Sequence, residues 1–180
     1  MKRKLLISMA AVGVAAGMVV ALPSTFAAQE RPTTSIKTEY LGTLKVVTDP
    51  PQMLGPRIIH NVKNCTLQGP KINVTCVAPS GDWTIVLPDG TVRQDIRATL
   101  KTGEGEFIFM EGTGTITLSK DGVDRLSKGE TMTENDGYLF AAPRFTTTSK
   151  TYGWLNSVQT VAKMTSNSQW KFEYDLFVVR

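Results

Sequence analysis

The chain has little of what most metal, redox and nucleophilic sites are built from. Its 180 residues include one histidine, His60, and two cysteines, Cys65 and Cys76. A single histidine holds no metal without neighbouring ligands, and no carboxylates stand near it at ligand spacing, so no metal site is expected. A serine hydrolase would have only His60 as its base, and no Gly-x-Ser-x-Gly elbow is present. The cysteines do not form a Cys-x-x-Cys pair, which argues against thiol redox or zinc chemistry. There is no Gly-rich phosphate loop. Gly112-Thr113-Gly114 reads instead as a bend in a strand. No cofactor is therefore expected, and no catalytic residue can be named.

Long apolar runs are missing except at the N-terminus. Lys2, Arg3 and Lys4 precede an apolar stretch from Leu5 to Leu22, Pro23 breaks it, and Thr25-Phe26-Ala27 offers small residues at the cleavage positions. This is the pattern of a signal peptide over residues 1–27. It predicts a periplasmic or secreted protein with no stable membrane span after cleavage. A retained anchor is the alternative, because the run approaches spanning length. Cleavage removes three of 20 basic residues and leaves 17 against 16 acidic ones, a net charge of +1. So even a balance excludes the basic stripe of a nucleic-acid binder and the cationic face that grips an anionic membrane.

What remains suits one domain with a sizeable core. Residues 28–35 are polar and read as a flexible tail, and residues 36–180 as the domain. Helical periodicity is confined to about Val123 to Lys128, with Gly129 at its end. Elsewhere β-rich segments are punctuated by Gly, Pro, Asn and Asp. They are Ile36–Thr48, Arg57–Val62, Cys65–Leu67, Ile72–Ala78, Trp83–Leu87, Thr91–Lys101, Glu106–Glu111, Gly114–Leu118, Tyr138–Ala142, Ser157–Met164 and Gln169–Val179. Pro88-Asp89-Gly90 is the strongest hairpin turn. In the last segment Trp170, Phe172, Tyr174, Leu176 and Val178 alternate with Lys171, Glu173 and Asp175, the signature of an antiparallel strand with one wet face. These strands with one helical turn predict an all-β fold, a single antiparallel barrel that removes its own edges by closing. Gly69-Pro70 between the cysteines suggests a turn that sets Cys65 opposite Cys76, and an exported protein would keep them as a disulfide.

Tyr40-Leu41-Gly42, Gly69-Pro70, Gly81-Asp82-Trp83 and Pro88-Asp89-Gly90-Thr91 are followed by Asp95-x-Arg97-x-Thr99-Leu100. Then come Tyr138, Pro143-Arg144-Phe145-x-Thr147 and Tyr152-x-Trp154-Leu155-Asn156. In this order they resemble the bacterial and fungal family called domain of unknown function 3237, over about Tyr40 to Val179. The resemblance implies a compact barrel of lipocalin-like (calycin-like) outline with an interior pocket, and no agreed reaction. Asn64-Cys65 stands where the family usually has Gly-Gly, and Val74 lies near another family Gly. Neither cysteine belongs to the family pattern, which supports their pairing with each other. Phe140 occupies the place of a frequent family Arg, which implies a more apolar pocket.

The candidate site follows from these motifs. Asp95 and Arg97 share a strand face opposite Ile96, Ala98 and Leu100. They are either a surface ion pair or, in a polar lumen, the anchor for a ligand's polar end. Trp83, Tyr138, Phe145, Tyr152 and Trp154 are either core packing or an aromatic wall for a small apolar or aromatic ligand. Asn156 either contacts that ligand or closes a turn. Three functions are open. One is a binding module for a small molecule. Another is a cofactor-independent isomerase, cyclase or lyase using Asp95 and Tyr152. The third is an envelope structural or interaction protein, which predicts a filled barrel.

Overall fold

A computed structural model describes residues 35–180. The expected signal peptide and most of the expected tail lie outside the described residues. Among the described residues ten strands run in chain order. They are β1 (Thr38–Thr48), β2 (Gln52–Leu54), β3 (Arg57–Gly69), β4 (Ile72–Val86), β5 (Val92–Thr102), β6 (Phe107–Leu118), β7 (Met132–Thr133), β8 (Gly137–Thr147), β9 (Thr160–Ser168) and β10 (Lys171–Val179). One helix, α1 (Lys120–Ser127), follows β6, and a 3-10 turn (Gly153–Ser157) follows β8. The order β1-β10-β9-β8-β6-β5-β4-β3 is closed by a further β1–β3 pairing, so eight antiparallel strands form a barrel.

Several strands are longer than the sequence pattern suggested. Arg57–Val62 and Cys65–Leu67 are one strand, β3, and Ile72–Ala78 and Trp83–Leu87 are one strand, β4. Pro79 produced the apparent break in β4. It sits where the β4–β5 register shifts between Val77 and Ser80, a place where a strand tolerates a residue without an N–H. Thr99 donates its N–H to Ser80 Oγ at 3.0 Å, so the ladder resumes through a side chain. The Pro88-Asp89-Gly90 turn joins β4 to β5 as expected, with Asp89 accepting from the Thr91 N–H at 2.9 Å.

The helix begins three residues earlier than its apolar pattern suggested. Ser119 caps it by accepting from the Gly122 N–H at 3.0 Å. Gly112 and Gly114 do not bend β6, which pairs with β5 and β8 in unbroken register. They are small because neighbours crowd them: a Cβ on Gly112 would lie 2.6 Å from Pro143 Cα, and one on Gly114 would collide with Gln94 Oε1. At the seam, a Cβ on Gly69 would collide with the Leu41 carbonyl, so β1 and β3 close only over a glycine.

The barrel is packed at one end and hollow at the other. Leu41, Leu67, Ile72, Val74, Leu100, Ile108, Leu155 and Val178 are almost wholly buried and fill the packed end. Cys65 and Cys76 are disulfide-bonded across β3 and β4 with Cα atoms 5.0 Å apart, as the Gly69-Pro70 turn predicted. No helix among the described residues is long and apolar enough to cross a membrane.

Candidate functional site in the barrel lumen

A cavity of about 580 Å³ occupies the hollow end. Its wall is largely aliphatic, from residues such as Leu44, Val46, Val62, Ile96, Met110, Ile116, Met164 and Leu176. Met53, Leu126 and Trp170 line it and are also exposed, so they mark the mouth. Such a volume lies within the range of small-molecule sites, which are mostly apolar with a few placed polar groups.

The polar groups are few. β3 and β4 set His60 directly opposite Asp82, both on the lumenal face. Gln94 enters from β5 and Tyr174 from β10, strands that stand opposite each other in the ring. Gln94 donates through Nε2 to Asp82 Oδ2 at 2.8 Å and to Tyr174 Oη at 3.2 Å. One amide therefore bridges the barrel. Asp82 Oδ1 also accepts from the Asp95 backbone N–H at 3.0 Å.

Burial raises the Asp82 pKa above its ordinary value, and the bonds from Gln94, Asp95 and Thr84 only partly offset this. Burial pushes the Tyr174 phenol up as well, so it stays a neutral donor. Burial lowers the His60 pKa, which favours neutral imidazole, and its ring packs edge-on against Phe172 at 5.6 Å. Among the described residues the buried side-chain atoms without a hydrogen-bond partner are Thr48 Oγ1, His60 Nδ1 and Gln94 Oε1. All three residues line the cavity.

None of the eight residues expected to line a ligand site borders this cavity. Asp95 and Arg97 pair at 3.1 Å on the outer face, with side chains 47% and 58% exposed. The alternation of β5 puts Gln94, Ile96 and Ala98 inside, so the surface-pair alternative is the correct one. Trp83 also points outward, beneath Arg97, whose guanidinium lies 5.6 Å from the ring centroid. Its neighbours Asp82 and Thr84 take the inner face. Tyr138 is exposed and packs at a tilt against Phe140, outside the barrel. Phe145 is buried in the packed core.

Tyr152 packs against that core and accepts from the Asn73 N–H at 3.4 Å. Trp154 packs beside it, bordering a separate shallow cleft with Lys71, Ser157, Val158 and Arg180. Asn156 closes a turn: its Oδ1 accepts from the Thr147 N–H and its Nδ2 donates to the Thr147 carbonyl, both at 2.8 Å. The motif residues are thus scattered over the outer face and the closed end. With Asp95 in solvent and Tyr152 at the closed end, they cannot act together as an acid–base pair.

The residues that do converge were visible as exceptions to a pattern. Gln94 is polar at an inward position of β5. Asp82 is a carboxylate at an inward position of β4, in the Gly81-Asp82-Trp83 motif. Tyr174 sits on the β10 face correctly read as inward.

The family model described as "Protein of unknown function (DUF3237)" matches residues 36–179. A UPF0311 protein of Clostridium acetobutylicum is 31% identical over 80 residues, 44% of this chain, and the chain spans about half (51%) of the length of that relative. A conserved protein of unknown function from Rhodopseudomonas palustris superposes with a TM-score of 0.76 at 20% identity, over 82% of this chain and 99% of that one. A β-barrel-like protein of Acinetobacter baumannii gives 0.70 at 24% identity, over 84% and 100%. A protein described as an enzyme from Penicillium herquei gives 0.62 at 18% identity, over 83% and 98%. These likenesses show the fold.

Proposed function

The chain belongs to the DUF3237 family of proteins of unknown function, and from that premise we propose that it is an exported barrel that holds a small, largely apolar molecule in its lumen. The observation that carries this reading is the 580 Å³ cavity, largely apolar on its walls, with a polar cluster where Asp82, Gln94 and Tyr174 meet. A filled barrel, the expectation for a purely structural role, is not what the fold contains. Burying apolar ligand surface supplies the affinity, at about 25 cal/mol per Å², and the polar cluster fixes orientation. The Tyr174 hydroxyl accepts from Gln94, and among the described residues its own hydrogen has no acceptor, leaving it free for a ligand oxygen.

Native mass spectrometry of the protein isolated from its own host tests the reading. A reproducible adduct of small-molecule mass is expected. Repeated isolation of bare protein, with no thermal shift across a panel of apolar metabolites, would refute it.

A second reading is favoured by the same cluster. A carboxyl with a raised pKa beside a phenol that can donate is the pairing that cofactor-independent acid–base chemistry requires. The roles expected of Asp95 and Tyr152 would pass to Asp82 and Tyr174. The enzyme of Penicillium herquei adds that a barrel of this shape accommodates catalysis. In this reading Asp82→Asn abolishes turnover of a bound substrate without releasing it.

A further inference from the structure

The lumen is uneven in charge. Among the described residues no lysine or arginine lines the cavity, and the carboxylates that do are Asp82 and Glu130. Glu130 lies 3.7 Å from Arg125, so its charge is met. Asp82 forms no ion pair among the described residues and takes its hydrogen bonds from neutral donors, the Gln94 amide, the Asp95 N–H and the Thr84 hydroxyl. A carboxylate so placed carries a desolvation cost that a counter-charge relieves.

The unmet hydrogen-bonding capacity includes acceptors. Thr48 Oγ1 and Gln94 Oε1, in side chains more than nine-tenths buried, lack a partner, and His60 Nδ1 lacks one too. Gln94 Oε1 can only accept, and the other two atoms can accept. Beside the free Tyr174 and Thr48 hydroxyl hydrogens, the lumen therefore presents its guest with unmet acceptors and one carboxylate without a counter-charge.

We propose that the cavity selects a small apolar molecule bearing an ammonium head, seated against Asp82, and rejects carboxylates and phosphates on the same skeleton. The proposal rests on the reading of the lumen as a ligand pocket. An ammonium brings three donors and the missing counter-charge in one group. An anionic head would meet Asp82 with like charge and leave its own charge unpaired in an apolar wall, which suppresses binding on the order of a hundred-fold. A neutral alcohol would fall between the two.

The test is calorimetric titration at neutral pH with three probes on one skeleton: 4-phenylbutylamine, 4-phenylbutan-1-ol and 4-phenylbutanoate. Wild-type protein should bind the amine about ten-fold or more tighter than the alcohol, and the acid weakest. Asp82→Asn, checked for folding by circular dichroism, should bring the amine to the level of the alcohol. Should that variant not fold, Met53→Lys at the exposed mouth serves: it should compress the amine-to-acid ratio by a few-fold.

Acid binding equal to amine binding in the wild type would overturn the charge selection and leave the pocket standing. An amine preference that persists in folded Asp82→Asn, or an unchanged ratio in Met53→Lys, would overturn it likewise. Failure of all three probes would remove the pocket reading and this inference with it.

Discussion

Gly114→Ala tests how the polar cluster is held. A methyl at Gly114 would collide with Gln94 Oε1, lie 3.0 Å from Gln94 Cδ and 3.2 Å from Ala141 Cβ. Gln94 ends a flexible side chain, so it withdraws and the backbone stays. Withdrawal breaks its bonds to Asp82 and Tyr174. A hydrogen bond to a charged group contributes about 1.5–3 kcal/mol and a neutral one about 1. Replacing a strand glycine returns about 0.5–1 kcal/mol. The net cost is about 2–3 kcal/mol, or a fall in Tm of roughly 5–10 °C for a domain of this size.

Differential scanning calorimetry would measure it, beside Gly103→Ala, where a Cβ has open space and no cost is expected. The cause is isolated by a cycle with Gln94→Ala, in which Gly114→Ala should cost little once Gln94 is gone. Full additivity of the two substitutions, or an unchanged melting temperature in Gly114→Ala, would show that Gln94 is not held between Gly114 and Asp82.

Three further outcomes are expected. Asp82 has a folded pKa above its unfolded value of 3.8, so its contribution favours folding when protonated and is lost as pH rises through the folded pKa. Asp82→Asn should therefore gain stability relative to wild type as pH climbs from about 4 toward neutral; a constant difference across that window in thermal melts would contradict the buried-carboxylate assignment. Reducing the Cys65–Cys76 bond, or replacing both cysteines by alanine, opens a loop of sequence separation 11 and should cost about 3 kcal/mol. Identical melts with and without reductant would count against a stabilising disulfide. Arg97→Ala removes a solvent-exposed partner and should change stability by less than about 1 kcal/mol while leaving probe affinity in the lumen intact. A loss of affinity measured by titration would return the site to the outer face.

The barrel was legible because strand period and turn chemistry act locally. The Pro88-Asp89-Gly90 hairpin and the β10 alternation each follow from a few adjacent residues. The short strands β2 and β7 escaped notice because two or three residues leave no periodic trace. The site was misread for a physical reason. Motif residues that recur at fixed intervals include those that hold turns and faces together, as Asn156 does for Thr147 and Trp83 does beneath Arg97. Which face of a strand is lumenal depends on how the sheet closes, and that is set by β1 meeting β10 at the other end of the domain while it also pairs with β3. Once closure is known, the alternation on β5 already assigns Gln94 inward and Asp95 outward.

The most direct measurement on the lumen uses N-phenyl-1-naphthylamine, an apolar fluorophore that is neutral at neutral pH. Titration into wild-type protein should show saturable fluorescence enhancement at one site per chain. Ala98 is buried on the cavity wall, and Ala98→Phe would fill the space opposite it. That variant, with an unchanged far-ultraviolet spectrum, should lose the enhancement. Equal, saturable enhancement in both proteins would place the probe outside the barrel and contradict a ligand-holding lumen.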